Sequence, residues 1–317
     1  MCAFTPSIAV MTDVGVMLPR DLPAGLVLDF ARAADRAGFD ELWVVEDLAF
    51  RGGVAQAAAV LAATDRIVVG VGILPAAVRH VAYAAMEVAT LAQLFPGRVH
   101  VGIGHGMPEW MRQLGVWPQR PLAFLSSYVE TLRTLLGGGE VDGLRLDPSS
   151  VPDVVPPLLL GVRGPKSLAV SGRVADGTVL AEPCAPEYAR AALEKIAASG
   201  PHRVVAYNVG AVDDDPAAAV AAARPALEWV GEPDWAPHLA PLPFADEFAA
   251  LRTDCATRAE FVARLPEAWV RRLALVGTPD EVRGRIAELG RAGVSSSVFI
   301  PAGPDPLRSL AALGRVL

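Results

Sequence analysis

Cysteine is scarce in this sequence: three in 317 residues, at Cys2, Cys184 and Cys255. So few, so widely spaced and odd in number, they make neither a disulfide framework nor a zinc-ligand pattern. They point to a reducing, cytoplasmic setting. Long apolar runs are missing too. No uncharged stretch reaches the roughly 18 residues of a membrane-spanning helix, so none is expected. The apolar N-terminus, MCAFTPSIAVMTDVGVM, lacks a basic leader and reads as a lead-in to a first strand, not a signal peptide. Met1 and Met11 both stand as candidate starts. Basic clusters are absent: the formal charge is -7, and Arg271-Arg272 is the densest basic pair, read as helix decoration. Nucleic acid and anionic membrane are therefore not expected partners. Missing as well are a Ser-His-Asp order, an HExxH pair, a Walker loop and a metal-ligand cluster, so no metal is expected.

What is present is core. Hydrophobic residues make up 52% of the chain and charged residues 20%, a balance that excludes general disorder. Short apolar runs alternate with helical patterns. Strands are expected at Val14 to Leu18, Glu41 to Val45, Arg66 to Leu74, Arg98 to Ile103, within Val155 to Val162, and at Gly177 to Ala181, Arg203 to Val209 and Ser296 to Ile300. Between them fall helical periods such as Leu26 to Ala37, stopped by Gly38, and His80 to Phe95, stopped by Pro96-Gly97. An alanine-rich helix is expected near Pro216 to Val230. Strands without polar alternation suit a parallel sheet covered on both faces. Eight βα units in one chain fit a closed (β/α)8 TIM barrel, an α/β fold, in a single domain over 1–317; an open doubly wound sheet is the alternative. The segment Gly231 to Pro266 breaks the rhythm and reads as an insertion before the last unit. Its Trp229, Trp235, Phe244 and Phe248 suit either a pocket wall or a core.

In such a barrel ligands meet the C-terminal ends of the strands. The fourth strand breaks into glycine at every second position, Gly102, Gly104 and Gly106, with His105 inside the run and Glu109 and Trp110 just after. Bare backbone there admits a planar or phosphorylated ligand; an ordinary turn with a solvated histidine is the alternative. Glu46-Asp47 ends the second strand, where adjacent carboxylates bind a polar edge or titrate unusually, or simply face water. The fifth strand runs into Val162-Arg163-Gly164-Pro165-Lys166. Glycine, a proline at a first helical position, free N–H groups and two cations together make a phosphate cradle. Glu182 and Cys184 follow the sixth strand, and either is a candidate to line the mouth. No base is signalled beside Cys184, so it reads as a buried small residue.

Five motifs in order resemble the bacterial luciferase-like flavin monooxygenase and reductase superfamily, nearest its branch using the 5-deazaflavin coenzyme F-420. They are GFDELWVVED (Gly38 to Asp47), ATDRIVVGVGIL (Ala63 to Leu74), GRVHVGIGHGMPEWMRQLG (Gly97 to Gly115), GVRGPKSLAVSGRVADG (Gly161 to Gly177) and ALVGTPDEVRGRIAELGRAGV (Ala274 to Val294). The resemblance implies a barrel with an insertion, a flavin-like ring at the mouth and a homodimer. It implies a non-prolyl cis peptide at Gly72-Ile73 backing the ring. It also places the phosphate-bearing tail along Gly104 to Gly106 and Gly161 to Lys166, with Glu46 and Asp47 near the ring. Where many relatives read close to NPYTRHP, this chain has PAAVRHV, Pro75 to Val81.

The expected function is hydride transfer between coenzyme F-420 and a small organic substrate. His105 is the first candidate for general acid, because imidazole titrates near neutrality; Glu46 and Glu109 are the second. The expected cofactor contacts are Asp47, Gly72, Ile73, Gly104, His105, Gly106, Val162, Arg163, Gly164, Pro165 and Lys166. Two alternatives remain: an FMN-dependent monooxygenase served by a separate flavin reductase, and a diverged barrel without redox activity.

Overall fold

The structure, a computed structural model, describes residues 12–317; Cys2, Met11 and the apolar lead-in lie outside the described residues. Each apolar run becomes a strand with both faces covered. In chain order these are β1 (Asp13–Met17), β2 (Glu41–Val44), β3 (Val68–Pro75), β4 (Val99–Gly104), β5 (Leu158–Gly161), β6 (Gly177–Leu180), β7 (Arg203–Val212), β8 (Leu275–Gly277) and β9 (Ser296–Pro301). Every pairing is parallel. The ring runs β1 to β7 in sequence order, then β9, and closes because β9 pairs with β1. That is the eight-stranded (β/α)8 barrel. The sequence reading missed β8. It has three residues and adds to the C-terminal end of β7, Gly210 to Val212, outside the ring.

The helices pack around the ring: α1 (Val27–Ala37), α2 (Gly53–Ala62), α3 (Val81–Leu94), a short α4 (Pro108–Gln113), α5 (Pro121–Leu136), α6 (Pro165–Val174), α7 (Pro186–Ile196) and α8 (Pro216–Ala223). Local chemistry sets their ends. α1 stops at Gly38, whose φ of 99° few other residues tolerate. His80 Nδ1 accepts the Ala82 N–H and so caps α3. The alanine-rich helix is shorter than the sequence suggested. It gives way at Arg224–Leu227 to a tighter turn, which holds Pro225, a residue with no N–H for the helical ladder.

The insertion is helical: α9 (Ala236–Leu239), α10 (Ala245–Asp254) and α11 (Arg258–Arg264), followed by α12 (Glu267–Leu273), which carries Arg271 and Arg272. These helices and α8 share a separate apolar cluster around Leu227, Phe248, Phe261 and Val270. Phe244 stacks on Trp269 at 4.9 Å, and Trp235 and Phe248 pack in the same cluster, so three of the four aromatics serve this core. The chain closes with α13 (Pro279–Arg291), capped reciprocally by Thr278 and Glu281, and α14 (Pro306–Leu313). No helix among the described residues is long and apolar enough to cross a membrane.

Inside the ring, Trp43, Leu159, Val179, Val205, Tyr207 and Val298 fill the barrel. A Cβ on Gly70 would stand 2.4 Å from the Trp43 ring, so glycine makes room for the indole. At the N-terminal end, buried Glu41 accepts from Trp43 Nε1 (2.8 Å) and Ser296 Oγ (2.6 Å), and pairs with Arg203. Burial pushes its carboxyl up. The His100 hydrogen bond, the Arg203 charge and the Ser296 hydroxyl outweigh burial and hold it down at about 2.

Candidate active site

The floor of the C-terminal mouth begins at β3. Its register with β4 holds from Val69 to Val71, then slips, so that Leu74 pairs with Ile103. The slip falls at Gly72-Ile73, and that peptide is cis, where the resemblance placed it. A Cβ on Gly72 would lie 1.9 Å from Tyr207 Oη. Ile73 turns across β4 and β5. A Cβ on Gly104 or Gly161 would come within 2.8 Å or 2.3 Å of its side chain. The bare backbone of Gly104 and Gly161 thus makes room for Ile73, a neighbour the sequence reading did not supply.

The acidic candidates are not brought together. Glu46 is held by Arg79 through both oxygens, at 2.6 and 3.2 Å, and also accepts the Gly53 N–H at 2.8 Å. Arg79 reaches Glu87 as well, at 3.1 Å. With three donors on it, Glu46 is a positioning group for the loop after β3. Asp47 pairs with Arg20 at 2.6 Å. Glu109 is exposed on the first turn of α4.

His105 does converge with the phosphate-cradle motif. Its Nε2 lies 3.4 Å from Ser167 Oγ on the first turn of α6, and its ring is 6.2 Å from that of Trp117. Burial lowers its pKa and favours neutral imidazole. No side chain caps α6; Gly164 is its N-cap and Pro165 opens it. A Cβ on Gly164 would meet nothing within 4 Å, so the approach to the first-turn N–H groups is open. That open end, with its partial positive charge, fits the phosphate of a cofactor tail. The two cations behave differently from the expectation. Arg163 is drawn to the insertion, donating to the Asp234 carbonyl at 3.1 Å with its guanidinium 5.0 Å from the Trp235 ring centre. Lys166 is exposed.

Three further groups lie on or just after ring strands; of these the sequence reading had considered only Glu182, as a candidate to line the mouth. Tyr207 is buried on β7 and its hydroxyl has no partner. Arg20 follows β1. Glu182 follows β6 on a segment tied down from two sides. The Asn208 side chain bridges Cys184 N and O at 2.8 and 3.2 Å, and His238 Nδ1 is 3.2 Å from the Pro183 carbonyl. Cys184 itself is buried, and burial pushes its thiol up to about 12, an inert state. The only hint in the sequence was a carboxylate two residues past a strand end.

Comparison with known proteins agrees with this architecture. The sequence model for the luciferase-like monooxygenase family matches residues 7–296. A 5,10-methylenetetrahydromethanopterin reductase of Methanolobus tindarius is 26% identical over 94% of this chain and 97% of its own. An F-420-dependent glucose-6-phosphate dehydrogenase of Beutenbergia cavernae is 34% identical over 51% of this chain and 52% of its own. The solved coenzyme F-420-dependent tetrahydromethanopterin reductase of Methanopyrus kandleri superposes with a TM-score of 0.78 at 21% identity, over 96% of this chain and 98% of that one.

Proposed function

The chain belongs to the luciferase-like monooxygenase family, and from that premise we propose that it is an oxidoreductase moving hydride between coenzyme F-420 and a small organic substrate. The observation that carries the reading is the open, uncapped N-terminus of α6 at Gly164, set beside His105 and the Gly72-Ile73 bulge. Relatives named as reductases and F-420-dependent dehydrogenases support the same cofactor. When bound, a 5-deazaflavin supplies the two-electron hydride donor or acceptor. The N–H groups of Lys166 and Ser167 would hold its phosphate. Ile73, with Gly72 behind it, would back the ring. His105 sits close enough to Ser167 to join the binding shell, and of its two expected roles that is the one its position favours.

A homodimer belongs to this reading. Tyr83, Met86 and Leu94 on α3 are 66%, 53% and 66% exposed, an apolar face suited to a second copy. A cytoplasmic, reducing setting accords with the free thiols of Cys184 and Cys255. Calorimetry with coenzyme F-420 and with FMN tests the cofactor: F-420 binds and FMN does not. Tight FMN binding without F-420 binding would instead favour the reductase-served monooxygenase, and binding of neither a barrel without redox chemistry. Sedimentation equilibrium giving a monomer would remove the dimer.

A further inference from the structure

We propose that Tyr207 is a positioning residue of the mouth floor: from the far side of the barrel its hydroxyl sets the height of Gly72-Ile73, and so of the surface on which the cofactor ring rests. This inference rests on the oxidoreductase reading, in which Ile73 backs that ring, and assigns the residue beneath it.

The placement follows from distances. In the closed ring β7 stands diametrically opposite β3. Tyr207 is buried on β7, yet its side chain ends against β3. A Cβ on Gly72 would lie 1.9 Å from Tyr207 Oη and 3.1 Å from its Cζ. The phenol therefore spans the barrel interior. Gly70 and Gly72 leave two inward positions of β3 without side chains. The rings of Trp43 from β2 and Tyr207 from β7 take that space and meet edge to face, with centres 5.7 Å apart. Gly72 and Ile73 are half-buried between the buried Val71 and Leu74. Met17 and Ile300, half-buried near the C-terminal ends of β1 and β9, lie on the same interior cluster. The open side of that cluster is thus its C-terminal side, toward the mouth.

Gly72 and Ile73 also depend on packing for their position. The β2 ladder stops at Val71, and the β4 register slips between Val71 and Leu74, so neither residue has a ladder partner. Sideways, Ile73 is confined by bare backbone: a Cβ on Gly102, Gly104 or Gly161 would come within 3.2, 2.8 or 2.3 Å of its side chain. From below, Tyr207 meets Gly72. The hydroxyl itself points to the same role. It is buried and has no hydrogen-bond partner among the described residues. A buried O–H without an acceptor costs stability. Phenylalanine would avoid that cost but stop one atom short of Gly72, and the contact is what the extra atom supplies.

The first measurement uses the cofactor-free protein. Isoleucine δ1 methyl groups are labelled with carbon-13, and Ile73 is assigned as the resonance lost in Ile73→Val. Tyr207→Phe keeps the ring and drops only the atom against Gly72. We expect it to move the Ile73 signal and not that of Ile286 on α13. Val204→Ala, on the same strand but turned to the helix core, should leave Ile73 in place. An unmoved Ile73 in Tyr207→Phe, or an equal displacement in Val204→Ala, overturns the proposal. The second measurement is F-420 binding. Tyr207→Leu should raise the dissociation constant roughly ten-fold and shift the absorbance maximum of the bound deazaflavin. Tyr207→Phe should shift the maximum the same way with a smaller loss of affinity. Val204→Ala should match wild type in both, at a lowered melting temperature. Wild-type affinity and spectrum in Tyr207→Leu overturn the proposal; should that variant not fold, the spectrum of Tyr207→Phe decides. Failure of wild type to bind F-420 removes the cofactor reading instead, and is seen separately from the methyl result.

Discussion

At the scale of single residues, the mouth is governed by what a Cβ would displace. Gly72 faces Tyr207 Oη at a distance no side chain could share, and the Trp43 ring is 2.9 Å from the same point. Gly72→Ala should therefore destabilise the fold by about 1–3 kcal/mol through overpacking. Tyr207→Phe removes the closest atom of the clash and strands no partner, since the hydroxyl has none. Urea unfolding of the two single variants and the double variant measures this: the double should recover part of the loss, since the Trp43 contact remains. Equal stabilities for Gly72→Ala and wild type would show that the barrel interior relaxes there. The residue scale is also where the sequence was least legible. Glu46, Asp47, His105 and the Gly164 cradle were all visible as residue types at strand ends. Their partners were not, because Arg79 lies 33 residues from Glu46 and Arg20 27 from Asp47. Only the closed ring decides which charges meet, and it left Glu182 unpaired.

Among the elements, α6 gives the cleanest separation of fold from binding. Gly164 has φ -78° and ψ 150°, extended values any residue adopts, and open space where a Cβ would go. Gly164→Val should leave the melting temperature near wild type. It should raise the F-420 dissociation constant roughly ten-fold or more, by blocking close approach to the first-turn N–H groups. Lys166→Ala should cost only about 0–1 kcal/mol of binding, and that effect should vanish in high salt, because the ammonium is exposed. Calorimetry at two salt concentrations distinguishes them, and unchanged affinity in both variants would move the phosphate elsewhere. The elements themselves were largely legible, since eight apolar runs became the eight ring strands. β8 escaped because three residues carry no periodicity. The insertion read as irregular because its helices are short and separated by proline, and they bury their aromatics against one another instead of the barrel.

For the whole molecule, the buried Glu41 network ties the first, second, seventh and last strands together at the N-terminal end. Its ties are Arg203 with Asp13, Ser296 and Trp43. The Glu41 carboxyl falls from an ordinary 4.5 to about 2 on folding. A depressed folded value means the stabilisation is complete above the unfolded value. It is lost as pH falls from about 4.5 toward 2, and amounts to about 3 kcal/mol. Urea unfolding at pH 7, 5 and 3 should show that acid loss in wild type and a much flatter profile in Glu41→Gln. Parallel profiles would place the acid sensitivity elsewhere.

The insertion's two attachments decide how a ligand gets in. Arg163, after β5, is gripped by Asp234 and Trp235, and the segment after β6 is gripped by His238, itself stacked on Tyr188 at 4.2 Å. A flap fastened at two neighbouring strand ends cannot swing away without breaking both fastenings, so that half of the rim is a wall. The loop after β3, Ala76 to Val81, has no such fastening to the insertion and borders a 390 Å³ cavity with Phe124 and Tyr128. Loosening either fastening, as in Trp235→Ala, should therefore alter the rates of ligand arrival and departure before it alters the chemistry.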